Sequence, residues 1–114
     1  MKIIVCGGRD YTDYNRVSQV LSELYEQYRF TTVVQGGARG ADMLGKRWAF
    51  ENKFPCLEFA ADWARYGPGA GPIRNQEMLD ESEAEIVVAF PGGRGTFDMI
   101  KRAKNKGVIL HVVD

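Results

Sequence analysis

Three times along this chain a short apolar run ends in a glycine turn, and each turn opens into a helical pattern. Ile3-Ile4-Val5-Cys6 precedes Gly7-Gly8-Arg9, Val33-Val34-Gln35 precedes Gly36-Gly37-Ala38-Arg39-Gly40, and Ile86-Val87-Val88-Ala89-Phe90 precedes Pro91-Gly92-Gly93-Arg94-Gly95-Thr96. The runs are rich in β-branched residues and do not alternate with polar ones, the pattern of strands buried on both faces. After the first turn, Asp13 is placed as an N-cap for a helix carrying Val17, Val20, Leu21, Leu24, Tyr25 and Tyr28 at three- and four-residue steps. After the second, Ala41, Leu44, Gly45, Trp48 and Ala49 make one apolar face, with Asp42 in the first turn where the helix dipole favours an acid. After the third, Thr96 is expected to cap a helix bearing Phe97, Ile100 and Ala103 and ending at Gly107. Cys56-Leu57-Glu58-Phe59 and Val108-Ile109-Leu110-His111-Val112 supply two more strands, and a further helix is expected to start at Pro72 and run through Met78 and Leu79.

Alternating strands and helices with short connections form right-handed crossovers, so the expectation is a small doubly wound α/β domain over residues 1–114: a five-stranded parallel sheet with helices on both faces. Ligands bind such sheets outside the carboxyl ends of the strands, where the strand order reverses. All three glycine turns lie at carboxyl ends. If the first and fourth strands are neighbours, Gly7-Gly8, Gly36-Gly37 and Gly92-Gly93 converge on one crevice.

Composition narrows the function. At 114 residues there is room for one domain, and 15 basic against 15 acidic side chains give no general pull on nucleic acid or anionic lipid. No apolar run approaches the roughly 20 residues that cross a bilayer, and Met1-Lys2 leads into Ile3 without a signal-peptide core, so a cytoplasmic protein is expected. Cys6 and Cys56 lack metal-ligand spacing and are expected to be buried and reduced; no metal and no cofactor is called for. Glycine is the outlier, at 13 residues. Glycine turns bring backbone N–H groups close to a ligand, and helix starts add partial positive charge, which suits phosphate. Arg9, Arg39, Arg74 and Arg94 are candidate forks for a phosphate or carboxylate.

Two familiar motifs do not survive inspection. Gly40 to Lys46 fits the letter of a Walker A loop, but Arg47 stands where the Mg-binding hydroxyl belongs and the apolar residues follow a helix face. No G-x-G-x-x-G follows a strand, and Gln35 offers no carboxylate for a cofactor ribose, which argues against a standard NAD dehydrogenase. His111 has no nucleophile motif beside it and reads as a core histidine. The glycine-rich segment Asp62 to Pro72 reads as a loop whose Trp63 and Tyr66 serve either to stack on a base or to anchor the loop to the domain or a second subunit.

Taken together, Gly7-Gly8-Arg9-Asp10-Tyr11, Gly37-Ala38-Arg39-Gly40-Ala41-Asp42, Gly71-Pro72-Ile73-Arg74-Asn75 and Pro91-Gly92-Gly93-Arg94-Gly95-Thr96 resemble the YspA-like family of the SLOG superfamily. That superfamily has Rossmann-like domains and includes the LOG phosphoribohydrolases and sensors of NAD-derived signals. The resemblance implies a nucleotide or ADP-ribose-type ligand, with Asp42, Asn75, Pro91, Gly95 and Thr96 joining the glycines and arginines as ligand-binding candidates. It also implies a homodimer, since many relatives are dimers. LOG enzymes carry paired glutamates after the phosphate turn; here Asp98 and Met99 stand there, with Arg74 as the counterpart of a catalytic arginine. Two functions follow: a sensor or sequestering protein, or a phosphoribohydrolase-type enzyme using Arg74 and Asp98. DNA binding carries little weight without a basic strip.

Overall fold

Every apolar run followed by a glycine turn is a strand of the same sheet. The computed structural model describes residues 1–114 and places β1 (Lys2–Cys6), β2 (Thr32–Gln35), β3 (Cys56–Glu58), β4 (Ile86–Ala89) and β5 (Ile109–Val112) in one parallel sheet of order β3-β2-β1-β4-β5. Ile3 and Ile4 pair with Val33 and Val34 on one side and with Ile86 and Val87 on the other. The order reverses between β1 and β4, as the converging turns require.

Helices α1 (Tyr14–Tyr28) and α2 (Ala41–Glu51) cover one face, and α4 (Ala70–Ser82) and α5 (Arg94–Lys106) the other. Alternate residues of each central strand point to opposite faces. Ile3, Val5, Ile86 and Val88 therefore join Val17, Leu21, Phe30 and Trp48 in one core cluster, while Ile4, Val34, Val87 and Ala89 join Met78, Leu79, Met99 and Ala103 in the other. The α1 reading from the sequence holds: Val17, Val20, Leu21 and Leu24 are buried, and the Asp13 side chain accepts a 3.0 Å hydrogen bond from Arg16 N–H. No helix is long and apolar enough to cross a membrane.

Several expectations need correction. Asp62 to Pro72 is not a loop: Asp62 caps the short helix α3 (Trp63–Tyr66), a 3-10 turn covers Gly67–Gly69, and α4 follows at once. α4 therefore starts two residues before Pro72, which sits in the first turn where its missing N–H costs nothing. Thr96 does not cap α5. The helix begins at Arg94 after Gly93, and its buried stripe is Thr96, Met99 and Ala103, which turns Phe97 out to 69% exposure. His111 is exposed rather than core, because β5 is an edge strand with Ile109 and Val112 also partly bare. Cys6 is buried, Cys56 only half-buried, and both thiols are free.

Candidate crevice at the switch point

The backbone itself ties the glycine turns together. Gly8 N–H donates to Pro91 O at 2.9 Å, and Gly8 O accepts from Ala41 N–H at 3.1 Å. The first turn is thus bonded both to the third turn and to the start of α2. Gly7 has φ of +155°, and a Cβ there would come within 2.7 Å of Ala41 Cβ and 2.9 Å of Phe90 Cβ. Only glycine lets α2 and the end of β4 close in on this point.

A crevice of about 540 Å³ opens above these strand ends. The first turn contributes Gly7, Gly8 and Arg9, the second turn and α2 contribute Ala38 and Asp42, and the start of α5 contributes Gly93, Arg94, Gly95, Thr96 and Asp98. Arg74, Asn75 and Met78 enter from α4, Trp63 from α3, and Cys6 from the end of β1. Gly36, Gly37 and Arg39 lie instead in an adjoining hollow of about 420 Å³, which shares Arg9, Ala38, Trp63 and Arg74 with the crevice. Arg39 there pairs with Asp10 at 3.2 Å. Pro91 and Gly92 line neither cavity; they sit behind the turn, Gly92 packed against Thr96 and the backbone of Gly7 and Gly8.

Sequence reasoning missed Cys6, Ala38 and Met78 as lining residues. Cys6 and Met78 read as core residues from their apolar spacing, and both are in fact buried at the base of the crevice.

Charge is arranged unevenly around this space. Asp42 is only 6% exposed, and burial pushes its carboxyl up to about 6, against the opposing pull of Ala38 N–H, which it accepts at 3.1 Å, and of the Arg74 charge. Arg74 is itself lowered, chiefly by burial. Its guanidinium donates to Gly36 O at 2.5 Å and to Asn75 Oδ1 at 3.1 Å. Asn75 in turn donates to Asp98 Oδ2 at 2.9 Å, and Arg102 Nε reaches the same oxygen at 2.8 Å. Burial raises Asp98, but these two donors outweigh it and hold the carboxyl below its ordinary value. Both use Oδ2, so Oδ1 is left for another donor. At the start of α5, Arg94, Gly95 and Thr96 N–H precede the first intrahelical bond, from Phe97 N–H to Gly93 O. A Cβ at Gly93 or Gly95 would meet nothing within 4 Å, so that end of the helix stands open.

The chain matches the family described as YspA, cpYpsA-related SLOG family over residues 1–66, a stretch containing the first two glycine turns. It is 36% identical over 116 residues to the Gene 61 protein of Mycobacterium phage D29, with 94% of this chain and 91% of that protein covered. Membership of the SLOG family suggests a nucleotide-related function with a small-molecule ligand. A family match over more than half the chain, together with a relative that aligns almost end to end, identifies this chain as a member of the YspA, cpYpsA-related SLOG family.

Proposed function

We propose that this chain binds a nucleotide or an ADP-ribose-type, NAD-derived molecule in the crevice at the switch point, as a sensor or a sequestering protein. The observation that carries the reading is the open start of α5. Unpartnered N–H groups and the side chain of Arg94, which holds no ion pair, face the same space as the free Oδ1 of Asp98. A phosphate fits the first and a sugar hydroxyl the second. Arg9, Arg74 and Asn75 line the same cavity, and Trp63 offers a ring, 49% exposed, at its rim. A thermal-shift panel tests this: nucleoside phosphates stabilise the protein while the parent nucleosides do not. Equal shifts for both would remove the phosphate contact.

A second reading, N-glycosidic cleavage of a nucleoside monophosphate or related nucleotide, has Asp98 in its favour, ionised and with one oxygen unengaged beside Arg74's neighbour Asn75. Binding is preferred because Asp98 is already held by Arg102 and Asn75, and Met99 brings no second carboxylate. Incubation with nucleoside monophosphates and NAD, followed by chromatography, is expected to yield no free base. Release that disappears in Asp98→Asn would establish the enzyme instead, since a carboxamide gives no charge to a developing sugar cation. A homodimer is part of the same proposal, supported by the bare Ile109 and Val112 on the β5 edge and checked by light scattering.

A further inference from the structure

Asp42 is the only charged residue that folding buries. Its Oδ2 accepts from Ala38 N–H, with a further pull from Gly36 N–H, and no donor is bonded to its Oδ1. Trp48 Nε1 is the one buried side-chain polar atom sealed away without a partner. Asp42 Oδ1 is therefore not sealed, and it opens on the crevice that Asp42 lines. Arg74 is the one cation whose charge acts on it, and at Arg74 the Asp42 charge in turn outweighs that of Arg9. The two groups nevertheless stay outside ion-pair distance. Arg74 turns Nη1 to Gly36 O and Nε to Asn75 Oδ1, which leaves Nη2 without a partner. A buried carboxylate with an unanswered oxygen, beside a guanidinium with an unanswered nitrogen, calls for a ligand edge that offers donors to one and an acceptor to the other.

Position says which part of a ligand carries that edge. Asp42 follows β2 and the open start of α5 follows β4, so they lie on opposite sides of the β1 turn, two strand spacings across the sheet or about 10 Å. A nucleoside monophosphate with its phosphate at α5 and its sugar at Asp98 brings its base to the Asp42 end. Cys6 and Met78, both buried, floor the cavity with sulfur and methylene groups that suit a flat ring better than a phosphate. We infer that Asp42 and Arg74 read the base of the ligand, and that the base is guanine. The guanine edge carries an acceptor, O6, next to two donors, N1–H and the N2 amine; the guanidinium answers the first and the carboxylate the other two. Adenine offers the carboxylate a single donor, and so does hypoxanthine, which is guanine without the amine. This rests on the nucleotide reading of the crevice and selects guanine nucleotides among its ligands.

Titration calorimetry with GMP, IMP, AMP and ribose 5-phosphate, on the wild type and on Asp42→Asn, tests the inference. GMP is expected to bind the wild type at least about tenfold more tightly than IMP or AMP, the worth of one hydrogen bond to a charged group. Asp42→Asn is expected to bring GMP and IMP to within a factor of about two, since a carboxamide cannot accept from two donors at once as a carboxylate does. Its melting temperature checks the fold, and the ratio of GMP to IMP in the wild type decides the matter even for a variant that does not fold. GMP, IMP and AMP binding alike would overturn the inference and keep the nucleotide reading. A guanine preference that survives Asp42→Asn would place base recognition elsewhere and overturn it as well. Ribose 5-phosphate binding as tightly as GMP, or no binding by any of the four, overturns both.

Discussion

At Asp42, burial and hydrogen bonding pull in opposite directions, and burial wins. Its carboxyl rises from an ordinary value of 3.8 to about 6 in the folded protein. Between those values the native state binds more protons than the unfolded chain, so this group's contribution to stability is largest below pH 4 and is lost as pH rises through 6. The ionised form at neutral pH carries a penalty on the order of 3 kcal/mol. Urea unfolding of wild type and Asp42→Asn at pH 4 and pH 7 checks this, because other titrations cancel in the difference. The wild type is expected to lose stability relative to the variant between the two pH values; a flat difference would mean an ordinary carboxyl. Gly93 poses the opposite case, a residue whose added side chain meets only open space. Gly93→Val is expected to melt close to wild type yet lose the stabilisation by nucleoside phosphates, since its methyl groups stand where phosphate must approach the N–H groups of α5. Normal binding by this variant would make the turn merely structural.

Helix placement follows from which stripe can be buried rather than from which residue can cap. Thr96 has a capping side chain, but Met99 and Ala103 lie three and seven residues on, and that row faces β4. The burial of this row sets the start of α5 at Arg94 and leaves Phe97 outside. In α2, closeness to the sheet decides more than helix propensity. A Cβ at Gly45 would come within 2.8 Å of Val5 Cγ1, in a strand with no freedom to retreat. Gly45→Ala gains up to about 1 kcal/mol of helix propensity, while overpacking a filled core costs about 1 to 3 kcal/mol. The variant is therefore expected to unfold at lower urea concentration than wild type; a higher midpoint would show that α2 can move outward freely.

At the scale of the whole molecule, the sheet order turns three separate glycine turns into one neighbourhood. Because β1 lies between β2 and β4, every turn sits within one strand spacing of Gly8, and backbone bonds lock Gly8 to the third turn and to the start of α2, which follows the second. A ligand held there touches segments from β1, α2, α4 and α5, so it stabilises the fold as a unit. At a hundred times its dissociation constant a cognate nucleotide should add about 2.7 kcal/mol, which for a domain of this size is roughly a 10 °C rise in melting temperature. A cognate ligand that raised it by only a degree or two at that saturation would be binding the unfolded chain as well, and so would not depend on the packed crevice.

The strands, the α1 and α2 stripes, the Asp13 cap and the position of the crevice could all be read along the chain. Each depends on local periodicity or on the rule that parallel sheets bind ligands at their carboxyl ends. Other features depend on partners distant in sequence. Whether His111 is buried depends on β5 being an edge, and nothing inside Val108 to Val112 says that no further strand will cover it. The separation of Gly36, Gly37 and Arg39 from the main crevice follows from Arg74, 38 residues past Gly36, reaching back to bond its carbonyl and form a wall between two cavities. Asp98 looks like a free carboxylate in sequence, but one of its oxygens is committed once α4 and α5 pack side by side. A linear pattern records which face of an element is apolar; the reach of a side chain across elements, and with it the charge state and partners of a site, exists only when the elements are packed.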